Sequence, residues 1–347
     1  MRIGMMISYA GGFEQAVAEL ADYEAAGLDL AVVPEAYSFD AVSLLGFVAA
    51  RTTRVQLASG IMQLYTRTPT LTAMTAAGLD FVSGGRFNLG IGSSGPQVIE
   101  GFHGVPFEAP LGRTREVIEI CRKVWRREVL VHNGKYYQVP LPGGTGLGKP
   151  LKIINKPVRD RIPVILGAVG PKNVALAAEI AEGWQPLFYY PEKAHHVWGE
   201  PLKAGLSKRD PALGSLDILV TAPFAITDRP EHVWEGHRQA LALYIGGMGA
   251  KEKNFSNELV RRYGYAQEAQ KIQELFLSGR KAEAAAVVPD ELVHNTCIAG
   301  PLSYVKDRLA AFKAAGVTTL QISPMAQTHA DRVRDLASLK SIVDGGS

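Results

Sequence analysis

The chain has 347 residues, 47% of them hydrophobic and 20% charged, with a formal net charge of +3. So small a charge gives no electrostatic signature of a nucleic-acid or anionic-membrane partner, and we expect neither. No apolar run reaches the roughly 18 residues of a membrane span. The only cysteines, Cys121 and Cys297, are too far apart for a Cys-x-x-Cys site. We therefore expect a cytoplasmic protein without a disulfide framework or a structural metal.

Short apolar strands alternate with helices in the first part of the chain. Strands are predicted near 2–8, 29–34, 54–61 and 86–92, with helices near 14–26, after Asp40 and over 70–81. Asp40 suits a helix N-cap, and Pro69 suits the first turn of the third helix. Apolar strands without polar alternation, separated by helices, indicate a parallel sheet covered by helices.

The same alternation resumes after a Gly- and Pro-rich stretch. Strands are predicted near 162–167, 184–189, 216–226 and 317–322, with helices over 114–127, 173–181, 231–244, 303–315 and 329–343. The length alone would also fit two domains, but eight strand–helix units without a linker favour one α/β domain over 1–347. The prediction is a (β/α)8 TIM barrel with insertions near 134–160, 191–214 and 248–298.

Two glycine-rich runs mimic nucleotide-binding motifs. Residues 90–95 fit G-x-G-x-x-G, but the long packed helix of that motif does not follow them. Residues 143–149 fit G-x-x-x-x-G-K, yet Pro150 stands where a Ser or Thr would hold magnesium. We interpret neither run as a nucleotide site, and no cluster of His, Asp or Glu has metal-ligand spacing.

A third glycine-rich run favours a phosphate site. Gly167-Ala-Val-Gly-Pro-Lys-Asn173 joins a predicted strand to a predicted helix at the C-terminal end of the barrel, where barrel enzymes keep their chemistry. A glycine turn at a helix start presents free backbone N–H groups, and Lys172 adds positive charge. The alternative is an ordinary strand-to-helix turn with a solvated lysine. Glu35 follows another apolar strand and is predicted at the same rim.

Several runs, taken in order, resemble the bacterial-luciferase-like family of flavin and deazaflavin oxidoreductases. They are Gly60-Ile-Met-Gln-Leu-Tyr-Thr-Arg-Thr-Pro69, Ser83-Gly-Gly-Arg-Phe-Asn-Leu-Gly-Ile-Gly92, Pro110-Leu-Gly-Arg-Thr-Arg-Glu116, Gly167–Asn173 with Ala181-Glu-Gly-Trp184, and Ala299-Gly-Pro301. The Tyr-Thr-Arg-x-Pro and Gly-Pro-Lys-Asn forms resemble the branch that uses the deazaflavin coenzyme F420, including methylene-tetrahydromethanopterin reductases.

The resemblance implies roles for particular residues. The Gly60–Ile61 bond matches a non-proline cis peptide behind the deazaflavin ring, and Gln63, Gly92 and Ser93 match ring contacts. Glu35 matches an acidic position beside the ring. The predicted cofactor-binding residues, from strand ends and resemblance together, are Glu35, Ser59, Gly60, Ile61, Gln63, Gly92, Ser93, Ser94, Gly167, Ala168, Val169, Gly170, Pro171, Lys172, Asn173 and Trp184.

The chain also departs from the family pattern. Sugar-phosphate dehydrogenases of this branch carry an Asp-His pair where this chain has Glu35-Ala36, and a catalytic Glu where it has Gly95. Sugar-phosphate oxidation is therefore not expected. Because both lie at predicted strand ends, Glu35 and Tyr9 are the predicted protonation residues.

The predicted function is hydride transfer between F420 and an unidentified small organic substrate, by a protein that we expect to be a homodimer. One alternative is a luciferase-like monooxygenase that uses FMN. The other is a barrel that binds the deazaflavin as a carrier or sensor without turnover.

Overall fold

Eight parallel strands close into a barrel in the computed structural model, which describes residues 1–8 and 12–345. Numbering every strand in chain order, the barrel strands are β1 (Arg2–Met6), β2 (Leu30–Val33), β3 (Gln56–Ser59), β5 (Phe87–Gly92), β8 (Val164–Gly167), β9 (Gly183–Gln185), β10 (Asp217–Ile226) and β12 (Thr319–Pro324). The ring closes because β12 pairs in parallel with both β10 and β1. The predicted (β/α)8 barrel is confirmed.

Four short strands lie outside this ring. They are β4 (Met62–Gln63), β6 (His132–Asn133), β7 (Gln138–Val139) and β11 (Ile298–Gly300). Strand β4 pairs with the end of β5, and β11 pairs with the end of β10, so both extend the C-terminal edge of the barrel. The predicted third strand was too long, because the chain turns at Gly60–Ile61 before pairing resumes in β4.

Helices follow the strands on the outside of the barrel. They are α1 (Phe13–Ala18), α2 (Leu20–Ala25), α3 (Ala41–Arg51), α4 (Pro69–Val82), α5 (Pro96–Ile99), α6 (Pro110–Trp125), α7 (Pro171–Ile180), α8 (Pro191–Leu206), α9 (Glu231–Gly246), α10 (Phe255–Arg262), α11 (Ala266–Leu277), α12 (Lys281–Ala286), α13 (Asp290–Asn295), α14 (Leu302–Ala314) and α15 (His329–Val343). Asp40 caps α3 by accepting from the Ser43 N–H, as its position predicted, and Thr68 caps α4 in front of Pro69.

The segment near 191–214 is not the insertion that the sequence suggested. It holds α8, the outer helix that follows β9, which is a regular part of the barrel. Because the sequence of α8 contains many histidines, lysines and glutamates, its buried apolar face was not recognised from the sequence. This face is formed by Ala194, Val197 and Trp198. Between α9 and β11, by contrast, the chain forms the four helices α10–α13, and we call residues 247–297 the helical insertion.

The barrel interior changes character along its axis. At the N-terminal end, the Arg2 guanidinium binds the side chains of Gln56, Asp217 and Thr319 across the barrel. Above this polar layer, a buried apolar cluster contains Leu30, Val32, Ala58, Ile165 and Leu219. At the C-terminal end, three neighbouring strand ends carry Gly60, Gly92 and Gly167 instead of larger residues. The interior therefore opens at the edge where the candidate residues lie.

Among the described residues, no helix is long and apolar enough to cross a membrane.

Candidate active site

The predicted ring-contact residues come together at the C-terminal edge of the barrel. In the strand register, Gln63 on β4 lies beside Gly92 on β5, Gly92 lies beside Gly167 on β8, and Gly167 lies beside Gln185 on β9. Residues more than a hundred positions apart in sequence thus form one continuous row. We call Gly60, Gly92 and Gly167 the glycine edge.

The glycine edge makes room for the side chain of Ile61. A Cβ atom at Gly92 would lie 2.5 Å from Ile61 Cδ1, and one at Gly167 would lie 3.3 Å from Ile61 Cγ2. The Gly60–Ile61 peptide bond is cis, as the family resemblance implies, and a Cβ atom at Gly60 would lie 2.3 Å from Val32 Cγ1. Ile61 therefore lies across β5 and β8 as an apolar surface. A larger residue at any of the three glycines would press against the side chain of Ile61 or Val32.

Gln63 presents a buried acceptor beside this surface. The residue is only 4% exposed, and its side-chain Oε1 finds no hydrogen-bond donor among the described residues. A buried oxygen without a donor costs about 1–3 kcal/mol, so a ligand that donates a hydrogen bond here would recover that free energy. The Gln63 Oε1 acceptor and the apolar surface of Ile61 over the glycine edge would fit a flat heteroaromatic ring with N–H donors.

Glu35 is fully occupied by other groups. Its Oε1 accepts from Arg67 Nη1 at 2.8 Å and from the Gln63 N–H at 3.3 Å, while its Oε2 accepts from Arg67 Nη2 at 2.8 Å and from the Ala41 N–H at 3.1 Å. A carboxylate has about four acceptor positions, and all four are used. Hydrogen bonds to Glu35 also raise the pKa of Arg67.

Of the two predicted protonation residues, the structure describes only Glu35. Glu35 joins the loop after β2 to β4 and positions Gln63, whose N–H donates to its carboxylate. Its four hydrogen bonds leave no acceptor position for a substrate. Tyr9 lies outside the described residues.

Two tryptophans hold the predicted phosphate turn from the barrel side. Trp184 Nε1 donates to the carbonyl of Ala168 at 2.9 Å, and Trp198 Nε1 donates to the carbonyl of Val169 at 3.1 Å. In a trans peptide the carbonyl and the next N–H point in opposite directions. The N–H groups of Val169 and Gly170 therefore point away from the tryptophans, and neither has an acceptor in the described part of the chain.

Helix α7 begins at this turn without a side-chain cap. Gly170 is its N-cap, Pro171 occupies the first turn, and the backbone N–H groups of Lys172 and Asn173 have no acceptor among residues 1–8 and 12–345. Lys172 is exposed. Together with the two outward N–H groups of the turn, this helix end could hold an anion such as phosphate.

A small cavity of about 20 Å³ connects the turn to the glycine edge. It is lined by Gly92, Ser93, Thr114, Leu166, Gly167, Ala168, Asn173 and Leu176. Thr114, on α6, was quoted within a family motif but was not singled out from the sequence. Its hydroxyl side chain and its position in the Arg-Thr-Arg run were the sequence features from which it could have been predicted.

Two predicted cofactor contacts are supporting residues instead. The Trp184 side chain is fully buried beneath the turn. The Ser59 hydroxyl is also buried, and it bonds both the carbonyl and the N–H of Gly90 on the neighbouring strand. The remaining predicted contacts lie along the glycine edge and the turn, including Ser94, which has a left-handed backbone at φ 57° after β5.

The two rejected nucleotide motifs have no nucleotide-binding context. Residues 90–95 run from β5 into α5, which has only four residues, and residues 143–149 form an exposed loop without a following helix. The described residues contain no group of three or more His, Cys, Asp or Glu side chains placed to hold a metal ion.

Two proteins are similar in sequence to most of this chain. A protein of Mycobacterium tuberculosis, provisionally named as a coenzyme F420-dependent oxidoreductase, is 46% identical over 98% of this chain and 99% of its own length. The 5,10-methylenetetrahydromethanopterin reductase of Archaeoglobus fulgidus is 28% identical over 85% of each chain.

A solved structure shows the same fold. The coenzyme F420-dependent tetrahydromethanopterin reductase of Methanopyrus kandleri superposes with a TM-score of 0.80 over 97% of each chain, at 23% identity. Residues 1–319 match the sequence family described as luciferase-like monooxygenase. The chain belongs to this luciferase-like family.

Proposed function

We propose that the chain is an oxidoreductase that binds coenzyme F420 at the C-terminal end of the barrel and transfers a hydride between it and a small organic substrate. One observation carries the proposal: the glycine edge and the anion-binding turn are adjacent, because Gly92 pairs with Gly167 at the start of that turn. A ring on Ile61 and a phosphate at α7 could thus belong to one ligand. The names of the relatives support a deazaflavin as that ligand.

The chain's own residues supply binding and orientation. Ile61 offers an apolar surface to one face of the ring, and Gln63 Oε1 offers a hydrogen-bond acceptor at its edge. The backbone N–H groups of Val169, Gly170, Lys172 and Asn173, with the charge of Lys172, would hold the phosphate. The hydride chemistry would be supplied by the bound coenzyme.

The test compares two coenzymes on the purified protein. We expect F420 fluorescence to change on binding, and reduced F420 to be oxidised by at least one acceptor in a panel of ketones, enones and imines. Lys172→Gln should weaken F420 binding, whereas Lys208→Gln, the same change at an exposed lysine after α8, should not.

Other outcomes would assign the alternatives. Binding of FMN with oxygen consumption, together with no binding of F420, would identify an FMN-dependent monooxygenase and overturn the proposal. Tight F420 binding without hydride transfer to any acceptor would indicate a carrier or sensor.

We also propose that the chain forms a homodimer through α4 and the neighbouring α3. Four large apolar side chains form an exposed stripe on α4: Leu71 (46%), Met74 (55%), Phe81 (70%) and Val82 (57%). Phe47 on α3 is exposed beside it. Contiguous exposed apolar patches of this kind mark association sites, and a two-fold axis would bury the stripe against its own copy.

The proposed compartment is the cytoplasm. Cys121 and Cys297 are both buried free thiols, a usage typical of reducing compartments.

A further inference from the structure

The helical insertion contacts the phosphate turn through one arginine. Arg262 is the last residue of α10, and its Nη1 donates to the carbonyl of Val169 at 3.4 Å. Its Nη2 donates to the carbonyl of Val197 on α8. The same Val169 carbonyl accepts from Trp198 Nε1. A side chain 93 positions further along the chain therefore helps to orient the turn.

We propose that Arg262 is a positioning residue for the coenzyme phosphate, acting through the Val169 carbonyl, so that the helical insertion sets the affinity for the phosphate-bearing part of the ligand. This inference rests on the proposed function, because it concerns the same turn.

Arg262 orients the turn through the peptide that joins Val169 to Gly170. The carbonyl of Val169 and the N–H of Gly170 belong to one trans peptide and point in opposite directions. Holding the carbonyl with both an indole and a guanidinium fixes the Gly170 N–H on the other side, toward the uncapped end of α7. Preorganised donors do not have to be ordered when the ligand binds, so affinity is gained.

Arg262 also brings a positive charge to this turn. Arg262 is partly buried, and burial lowers its pKa, but a guanidinium remains protonated at neutral pH because its ordinary pKa exceeds about 12. No salt bridge to Arg262 occurs in the described chain, although Glu258 lies one turn earlier on α10. Nearby Arg308 and Arg238 are, in contrast, paired with Glu192 and Asp290. The charge of Arg262 is thus not neutralised by a carboxylate, and it polarises the Val169–Gly170 peptide, which strengthens the Gly170 N–H as a donor.

Two neighbouring arginines of α10 differ in what they contact. Arg261, next to Arg262, is exposed, belongs to the same helix and carries the same charge, but its Nε donates to Asn257 Oδ1 within α10 instead of reaching the turn. Arg261 therefore provides a matched control for net charge and for the stability of the insertion.

The experiment measures binding of two deazaflavins by fluorescence titration: F420 itself, and a deazaflavin with the same ring and ribityl chain but no phosphate. Arg262→Gln should weaken F420 binding by about tenfold or more, the loss expected when a charged hydrogen-bonding group is removed, with less than about a twofold change for the phosphate-free ligand. Arg261→Gln should change neither affinity. Thermal unfolding of each variant reports whether the fold is retained.

The remaining outcomes are decisive. Equal weakening of both ligands, or no weakening of F420, would overturn the role of Arg262 while leaving the proposed function intact. Absence of F420 binding to the unmodified protein would overturn the proposed function itself. If Arg262→Gln does not fold, Arg262→Lys keeps the charge but loses the planar fork, and the same selective loss of F420 affinity, smaller in size, is expected.

Discussion

The guanidinium of Arg67 binds both carboxylate oxygens of Glu35, each at 2.8 Å, with the two side chains only 12% and 6% exposed. Glu35 stands after β2, and Arg67 stands between β4 and α4, so the pair fastens two loops at the rim of the barrel. The Gln63 N–H binds the same carboxylate. The Glu35–Arg67 pair thus holds Gln63 in place, whose Oε1 has no donor among the described residues.

Breaking this pair should be costly. Removing one partner of a buried ion pair costs about 3–5 kcal/mol, because the other charge is left uncompensated. We expect Arg67→Met to lower the free energy of unfolding by about 3 kcal/mol, and Glu35→Gln to lower it by less, because Asp40 also pairs with Arg67. The double variant should lose less than the sum of the two losses. Urea unfolding measures all three.

A surface pair provides the control. Arg334 is 67% exposed and pairs with Asp331 one turn away, so Arg334→Met should cost less than about 1 kcal/mol. Additive losses for Glu35 and Arg67 would show that the two side chains do not act as a pair.

The glycine edge predicts a selective loss of binding. In Gly92→Ala the new methyl group would displace the end of the Ile61 side chain, since a Cβ atom there lies 2.5 Å from Ile61 Cδ1. We expect F420 affinity to fall about tenfold or more, equivalent to about 1.4 kcal/mol, because Ile61 would move into the space of the ring. Fluorescence titration measures the affinity.

Substitutions at two other glycines serve as controls for this prediction. A Cβ atom at Gly90 would lie 1.8 Å from the carbonyl oxygen of Ser59, so Gly90→Ala should destabilise the fold itself. Gly236, inside α9, has open space around it, and Gly236→Ala should be neutral or stabilising by about 0.5–1 kcal/mol. Unchanged F420 affinity in Gly92→Ala would contradict the placement of the ring.

Protonation of His237 should limit stability in acid. Burial lowers the pKa of His237 to about 4, and its Nε2 contacts Thr296 Oγ1 at 2.7 Å. The unfolded chain binds this proton below about pH 6.5, whereas the folded protein does not until about pH 4, so stability falls as the pH drops through that window.

The variant His237→Gln isolates this contribution. Between pH 7.5 and 5, the unmodified protein should lose about 2 kcal/mol more of its unfolding free energy than the variant does, by proton linkage at the one site. Urea unfolding at both pH values provides the comparison. Equal losses would mean that His237 does not titrate in this range.

The exposed stripe on α4 predicts the oligomeric state. Phe81→Lys places a charge at the most exposed residue of this stripe and should convert the dimer to a monomer in sedimentation velocity, because burying an unpaired charge opposes association. Leu277→Lys, at a similarly exposed leucine on α11, should leave the dimer intact. A monomeric unmodified protein, or a dimer in both variants, would exclude this interface.

The strand–helix alternation and the C-terminal location of the site could be read from the sequence. Both depend on local patterns: apolar runs, Asp40 as a cap, Pro69 in a first helical turn, and glycine turns at strand ends. The error at 191–214 has a local cause too, because polar residues on one face of α8 hide its buried face. The sequence also pointed to Gly60–Ile61, where the peptide bond is cis, and to Gly167–Asn173, the turn that precedes α7.

What the sequence by itself determined was therefore the barrel and the family, and it singled out the two segments from which the proposed site is built. The tertiary structure decided which side chains are free to act. Glu35 was a candidate acid until Arg67, 32 positions later, occupied both its oxygens. Trp184 was a candidate contact until burial placed it under the turn, and Arg262 became visible only when the insertion brought it to Val169. Hydrogen-bond partners far apart in the chain are set by packing, which no local pattern encodes.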